Sequence, residues 1–399
     1  MLEALIKSGI LLGGLMTAAA YFVLLERRLC AWMQDRRGPN RVGLPLSLVS
    51  SKLKDLRLFG LGQPTVDGAK FILKEEYTPA HVDRRLYILA PIVILVAALA
   101  VFAVIPFGGT LPIGDRHINL VVAFEIDVAI LFVFALSSIA VYGVILGGWA
   151  SNNKYSFLGG LRSSAQLIAY ELPLGLGLLG VVLAAGSMNL STIMERQGES
   201  GWFVLAQPLG FTVFMIAAFA EAGRLPFDLP ECEQELIGGY HTEYAGMKLL
   251  LFLVGEFLHM ITAAFLIVIL FLGGWHFPGL TGAAHNVEGW FQAIARIGVL
   301  NSKVCLVIVF FMLVRWSWPR FRFDQLMGLA WKIMLPLGLI NLVVVAAVNQ
   351  FMPENTAAAM AVSWVVCIAA WVGITVVGPL IADNRPHSDL VPYEIDSQI

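Results

Sequence analysis

Nine runs of roughly 20 apolar residues divide this 399-residue chain, and no other feature narrows its fold as sharply. A bilayer core of about 30 Å needs about 20 such residues per helix. The runs cover residues 4–26, 86–107, 123–150, 163–185, 202–222, 246–273, 298–316, 330–350 and 357–382. Lipid offers backbone polar groups no partner, so each run reads as a continuous helix. Only 14% of the residues are charged and 58% are hydrophobic, whereas a soluble domain carries about 25% charged residues. One large soluble core is thereby excluded. The predicted fold is all-α: a polytopic helical bundle forming one transmembrane domain over residues 1–382, with a tail at 383–399.

The basic residues orient that bundle. Segments 26–85, 151–163, 224–248, 315–332 and the tail hold 21 of the 26 Lys and Arg residues. The opposite side holds Lys7, Arg116, Arg196, Arg296 and Lys303. The positive-inside rule then predicts cytoplasmic placement for the first group, an N-terminus outside and a C-terminus inside. No cleavable signal peptide is expected, because the first apolar run follows an almost uncharged start and passes without an A-x-A site into Glu26-Arg27-Arg28. The net charge of −2 leaves no basic surface of the kind that binds nucleic acid.

Two short stretches in the first long loop, residues 31–85, have helical spacing. Leu46, Val49, Leu53 and Leu56 line one side of 46–58 among Lys52, Lys54, Asp55 and Arg57, which predicts an amphipathic helix lying in the membrane interface. In 66–75, Asp67, Lys70 and Lys74 fall on one face, equally compatible with a solvated surface and with a site.

Carboxylates inside apolar runs carry the strongest chemical signal. Glu125 and Asp127 open the third run, Glu171 lies in the fourth, Glu221 near the end of the fifth and Glu256 midway in the sixth. A charge at the bilayer centre costs about 2.5–3.5 kcal/mol on insertion scales, so such groups are expected to be paired, hydrated or protonated. Glu256 and His259, three apart, share a helix face and are placed to pass a proton. A proton relay is the functional reading of Glu171, Glu256, His259, Asp127 and Glu125. For Glu125 and Asp127, simple solvation at the headgroup level stays open.

Other chemistry is poorly provided for. Cys30, Cys232, Cys305 and Cys367 stand far apart with no CxxC, so neither a zinc site nor an iron–sulfur cluster is spelled out. Of seven histidines only His259 lies well inside a run, whereas a membrane cytochrome needs buried axial pairs. The densest motif is the acidic loop at 224–245, where Asp228, Glu231, Glu233, Glu235 and Glu243 alternate with Leu225, Phe227, Leu229, Leu236 and Ile237. Interruption by apolar residues points to a packed loop, with the basic stretch 26–41 available to offset its charge.

Five segments resemble one family in order: ERRLCAWMQDRRGPNRVG, QPTVDGAKFILKE, GGWASNNKYSFLGGLRSSAQLIAYELP, RLPFDLPECEQELIGGYHTEY and RWSWPRFRFDQLMGLAWKIMLPL. The family is the H-type subunit of NADH-quinone oxidoreductase, the membrane component of respiratory complex I that borders the quinone site. The resemblance runs from about residue 15 to 345. It implies a chain that anchors the peripheral arm, walls the quinone chamber and couples quinone reduction to proton translocation, without redox catalysis of its own. Quinone is then the substrate. Flavin (FMN) and iron–sulfur clusters belong to partner subunits of the peripheral arm, and small membrane subunits are neighbours.

On matching positions the resemblance places Arg27, Arg36, Arg41, Asp67 and Lys70 along the quinone path. It makes Glu221, Asp228, Glu231, Glu233 and Glu235 the acidic side of the coupling site, with Glu171 and Glu256 continuing into the membrane. Gly223 departs from the asparagine that often precedes this arginine in the family. A bacterial cytoplasmic membrane is the expected location. The rivals are the homologous membrane component of an energy-converting hydrogenase and a stand-alone ion transporter. The first would need no quinone chamber, and the second usually shows inverted repeats that are not visible here.

Overall fold

The chain is an all-α polytopic membrane protein. The computed structural model describes residues 2–42, 58–113, 116–123, 126–229, 237–281, 290–352 and 356–381. The stretch expected as an interfacial helix, 46–58, lies outside the described residues except for Leu58. Glu125, Glu231, Glu233, Glu235 and the tail 383–399 also lie outside them.

Among the described residues, eight helices are long and apolar enough to cross a membrane. In chain order the helices are α1 (Leu2–Met33), α2 (Gln63–Leu73), α3 (Arg84–Val101), α4 (Ala129–Ala150), α5 (Lys154–Ala185), α6 (Leu190–Ser200) and α7 (Phe203–Ala206). They continue as α8 (Pro208–Glu221), α9 (Gly246–Phe271), α10 (Trp290–Ser317), α11 (Phe323–Gly328), α12 (Leu335–Phe351) and α13 (Thr356–Ile381). A π-helical turn, Leu329–Met334, joins α11 to α12 into one span. Among the described residues the strands form one small antiparallel hairpin, β1 (Thr110–Ile113) with β2 (Arg116–Asn119), in the register Thr110↔Asn119.

Several span ends differ from the sequence expectation by six or more residues, and three differences bear on the site. The fourth span begins at Lys154 rather than near 163, because the Asn153 side chain accepts from the Tyr155 amide and caps it. The third begins only at Ala129, so Asp127 precedes the helix and is exposed. The fifth is not one helix. Gln207 leaves helical geometry (φ −137, ψ 64) ahead of Pro208, dividing the run into α7 and the 14-residue α8. At 1.5 Å per residue α8 is about 21 Å long, short of the hydrocarbon core.

Helix α9 is the axis of the bundle. From Phe257 to Phe271 its residues are buried almost without interruption, and a helix apolar all round belongs inside. The main core forms where α9 meets α1, α3, α4, α5, α8 and α10. Consequently Glu256 and His259, on the same helix, face protein rather than lipid. Arg296 and Lys303, both expected toward the far side, lie within α10. The Lys303 ammonium donates to the carbonyls of Leu272 (2.6 Å), Gly274 (3.0 Å) and His276 (2.7 Å), holding the end of α9.

Glycines bring the backbones together at the opposite end of the bundle. A β-carbon on Gly159 would lie 2.7 Å from the Gly239 backbone, so the 3₁₀ turn Gly239–His241 rests directly on α5. The Gly159→Ala substitution is therefore expected to lift that turn and move Tyr240 away from α9. Thermal inactivation of the assembled protein should occur at lower temperature, by an overpacking cost of about 1–3 kcal/mol. An unchanged midpoint would show that the turn yields freely.

Candidate functional site

The ends of α1, α3, α5, α8, α9 and α10 meet at one face, which carries most of the charge. There the final turns of α1 set Val23, Glu26, Arg27, Cys30 and Ala31 along a wide cleft of about 1170 Å³. Arg36, Arg37, Arg41, Arg224, Arg315 and Glu256 complete its charged lining.

Glu26 organises this cleft. Its carboxylate accepts from Arg315 and lies 3.5 Å from Arg224, tying α1 to α10 and to the loop after α8. The Arg224 guanidinium also sits 4.3 Å over the Phe257 ring, beside Glu256. Arg27 pairs with Asp67 at 2.7 Å, and the Gln63 amide donates to the same carboxylate at 2.9 Å, so α2 is fastened to α1. Lys70, three residues after Asp67 on α2, is exposed and outside the cleft lining.

Behind Glu256 lies a second, smaller cavity of about 80 Å³, room for several water molecules. Ser137 of α4, Ser163 and Glu171 of α5, Glu221 of α8, Asp228, Tyr240, Glu256 and His259 line it. Four carboxylates and one imidazole thus converge from four separate segments. A further void of about 20 Å³ continues from Ser137, Glu221 and His259 toward Thr262, deeper along α9.

The carboxylates are held individually. Ser137 donates to Glu221, and Ser138 donates to Glu171. Ser138 Oγ also lies 3.0 Å from the Phe134 carbonyl, one turn back on its own helix. The Tyr240 hydroxyl donates to Glu256 at 2.6 Å. Buried Gln166 uses both amide hydrogens, to the carbonyls of Ala220 and Phe227 at 2.9 Å each, and so fixes the residues beside Glu221 and Asp228.

Asp228 lies outside the spans, in the loop after α8. Burial, and then the nearby Glu256 charge, push its carboxyl up to about 6, while Arg320, Arg315 and Arg224 pull the other way. Burial also lowers the His241 imidazole below its ordinary value, against the pull of Glu256. Asp228 is half of an ion pair with Arg320 at 4.0 Å. Because its folded pKa exceeds the ordinary value of 3.8, folding takes up a proton between about pH 4 and 6. Stability from this group is therefore full below pH 4 and lost as pH rises to about 6. An Asp228→Asn variant should gain thermal stability relative to the parent across that window, by up to about 3 kcal/mol, and show a constant difference above it. A difference independent of pH from 4 to 6 would contradict this.

The structure thus brings Glu171, Glu221, Asp228, Glu256 and His259 together, and places Arg27, Arg36 and Arg41 in the adjoining cleft. Asp127 is not brought to either: it is exposed before α4, at the far end of that helix. Glu26, Arg224, Arg315, Tyr240, Gln166, Ser137 and Ser138 do not stand out as site residues in the sequence. The signal available for the first three is their place as charges at span ends.

A third concavity, of about 430 Å³, is almost wholly apolar. It runs between α1, α9 and α10, from Lys7 to Phe22 on α1 and along Ile261 and Phe265 on α9. Phe22 and Ile261 of this groove lie one helical turn from Glu26 and Phe257 of the charged cleft, so the two adjoin.

A sequence profile described as NADH dehydrogenase matches residues 6–346. The chain is 47% identical over 329 residues to an H-type subunit of NADH-quinone oxidoreductase from Geobacter metallireducens, covering 82% of this chain and 91% of that protein. It is 45% identical over 330 residues to the H-type subunit of the same enzyme from Protochlamydia amoebophila (83% and 92% covered). It is 42% identical over 333 residues to the one from Flavobacterium johnsoniae (84% and 91% covered).

Proposed function

The chain belongs to the family of H-type subunits of NADH-quinone oxidoreductase, and from that premise we propose that it is the component in which quinone and proton chemistry meet. The charged cleft receives the quinone head, and the apolar groove beside it takes part of the hydrocarbon tail. Pockets of a few hundred Å³ with apolar walls and few polar groups suit such a ligand. Quinone reduction consumes protons and changes the charge at the cleft wall. The carboxylates behind the wall then exchange protons and start a transfer line across the membrane. The observation that carries this reading is that Glu256 lines both the cleft and the acid cavity.

The same reading sets the charged face toward the bacterial cytoplasm, with the N-terminus on the other side. Flavin and iron–sulfur centres sit in the peripheral arm that docks there. Exposed Phe59 (82%), just before α2, and Leu73 (85%), at its end, suit a surface covered by such a partner, and α2 itself has no buried residue. Neighbouring small membrane subunits cover other helices. A photoreactive quinone added to the assembled enzyme tests the site. Labelling of peptides 20–41 and 250–260, displaced by excess quinone, is expected. Displaceable labelling confined to other parts of the chain would overturn the assignment.

A further inference from the structure

Residues 6–346 match the family, and α13 begins at Thr356, beyond that match. Its packing stripe is Ser363, Val366, Cys367, Ala370, Trp371 and Ile374, at helical three- and four-residue spacing. The stripe lies against Leu209 and Val213, both buried, in the short helix α8. Eight residues into α13, the Trp364 indole N–H donates to the Leu205 carbonyl at 3.0 Å, in α7 just before the break at Gln207. That contact lies about 12 Å along α13 from its start, within membrane depth. Non-helical backbone at such depth persists only where protein covers it. On the other side of the break, the Gln207 amide donates to the Gly180 carbonyl at 3.1 Å.

We infer that α13 is a built-in brace: it seals the broken fifth span against lipid and fixes the short helix that ends in Glu221. Helix α8 is too short to be set by the bilayer thickness alone, so its depth depends on the helices around it. Helices α5, α9 and α12 pack against it, and α13 adds a further contact. The inference uses the proposed function only for the importance of Glu221, and the sealing itself is independent of quinone.

Hydrogen exchange of the assembled enzyme in lipid nanodiscs tests it. A chain ending at Met352 should exchange the amides of 203–216 at least tenfold faster than the full chain, with 250–265 unchanged. Two full-length variants read the same segment if truncation blocks assembly. Trp364→Phe removes the indole N–H together with part of the ring, and Ala370→Trp forces the stripe off α8. Each should raise exchange at 203–216, the second more. Unchanged exchange there in every assembled variant would overturn the brace, whatever the quinone experiments show.

Discussion

Replacing Glu256 with glutamine is expected to slow quinone reduction by the assembled enzyme by about 10²-fold, with little change in KM for quinone. The substitution is nearly isosteric. A glutamine carbonyl still accepts from Tyr240, whose hydroxyl lies 2.6 Å from Glu256, so the turn on α5 stays in place. What is lost is a group that gains and releases a proton, and positioned acid–base groups contribute about 10²–10⁴ in rate. The cations of the cleft are untouched, so binding should persist while kcat falls. The check is steady-state NADH:quinone turnover in reconstituted membranes. Full turnover in the variant would remove Glu256 from the proposed route.

The second large effect is on architecture. Glu26→Ala is expected to destabilise the assembled protein by about 3 kcal/mol, read as a lower temperature of thermal inactivation. Glu26 is 12% exposed and accepts from Arg315 while lying beside Arg224. Three other guanidinium nitrogens of this pair, Arg224 Nε, Arg224 Nη2 and Arg315 Nε, are already buried without a hydrogen-bond partner among the described residues. Removing the shared carboxylate leaves two largely desolvated cations without their direct ion-pair partner. Breaking a buried pair costs about 3–5 kcal/mol, and the 29% exposure of Arg315 puts the expected value at the low end. Adding Arg315→Met to Glu26→Ala should restore part of the loss, because the two residues are in contact. Strictly additive effects would show that Glu26 does not join α1 to α10.

The spans were legible because twenty apolar residues in a row leave a helix few alternatives. Their ends were less so. Asn153 extends α5 through a Ser- and Gly-rich stretch that reads as loop, since the glycines serve close backbone contact rather than a turn. The break at Gln207-Pro208 was hidden because the run around it stays apolar on average, and hydropathy does not record backbone geometry.

Acids within the spans could be chosen from sequence because their cost in lipid demands a reason. That cost selects Glu171, Glu221 and Glu256, which the fold brings to one cavity. Applied to Asp127 it overreaches: the helix starts two residues later, so no membrane cost has to be met. Glu26 was invisible as a hub for a different reason. Its partners are 198 and 289 positions away, and only tertiary packing brings Arg224 and Arg315 to it. Ser137, Ser138 and Gln166 resemble ordinary small or polar residues on helices until the fold gives each a carboxylate or a carbonyl to hold.

The most direct test of the link between cleft and cavity is the infrared difference spectrum of the assembled enzyme between oxidised and reduced quinone. A carboxyl band assigned by its loss in Glu171→Gln, at a residue outside the cleft lining, should respond to quinone reduction in the parent protein. In Glu256→Gln, where slow reduction still runs to completion, that response is expected to disappear. Persistence of the Glu171 response without Glu256 would contradict proton transfer through the shared wall.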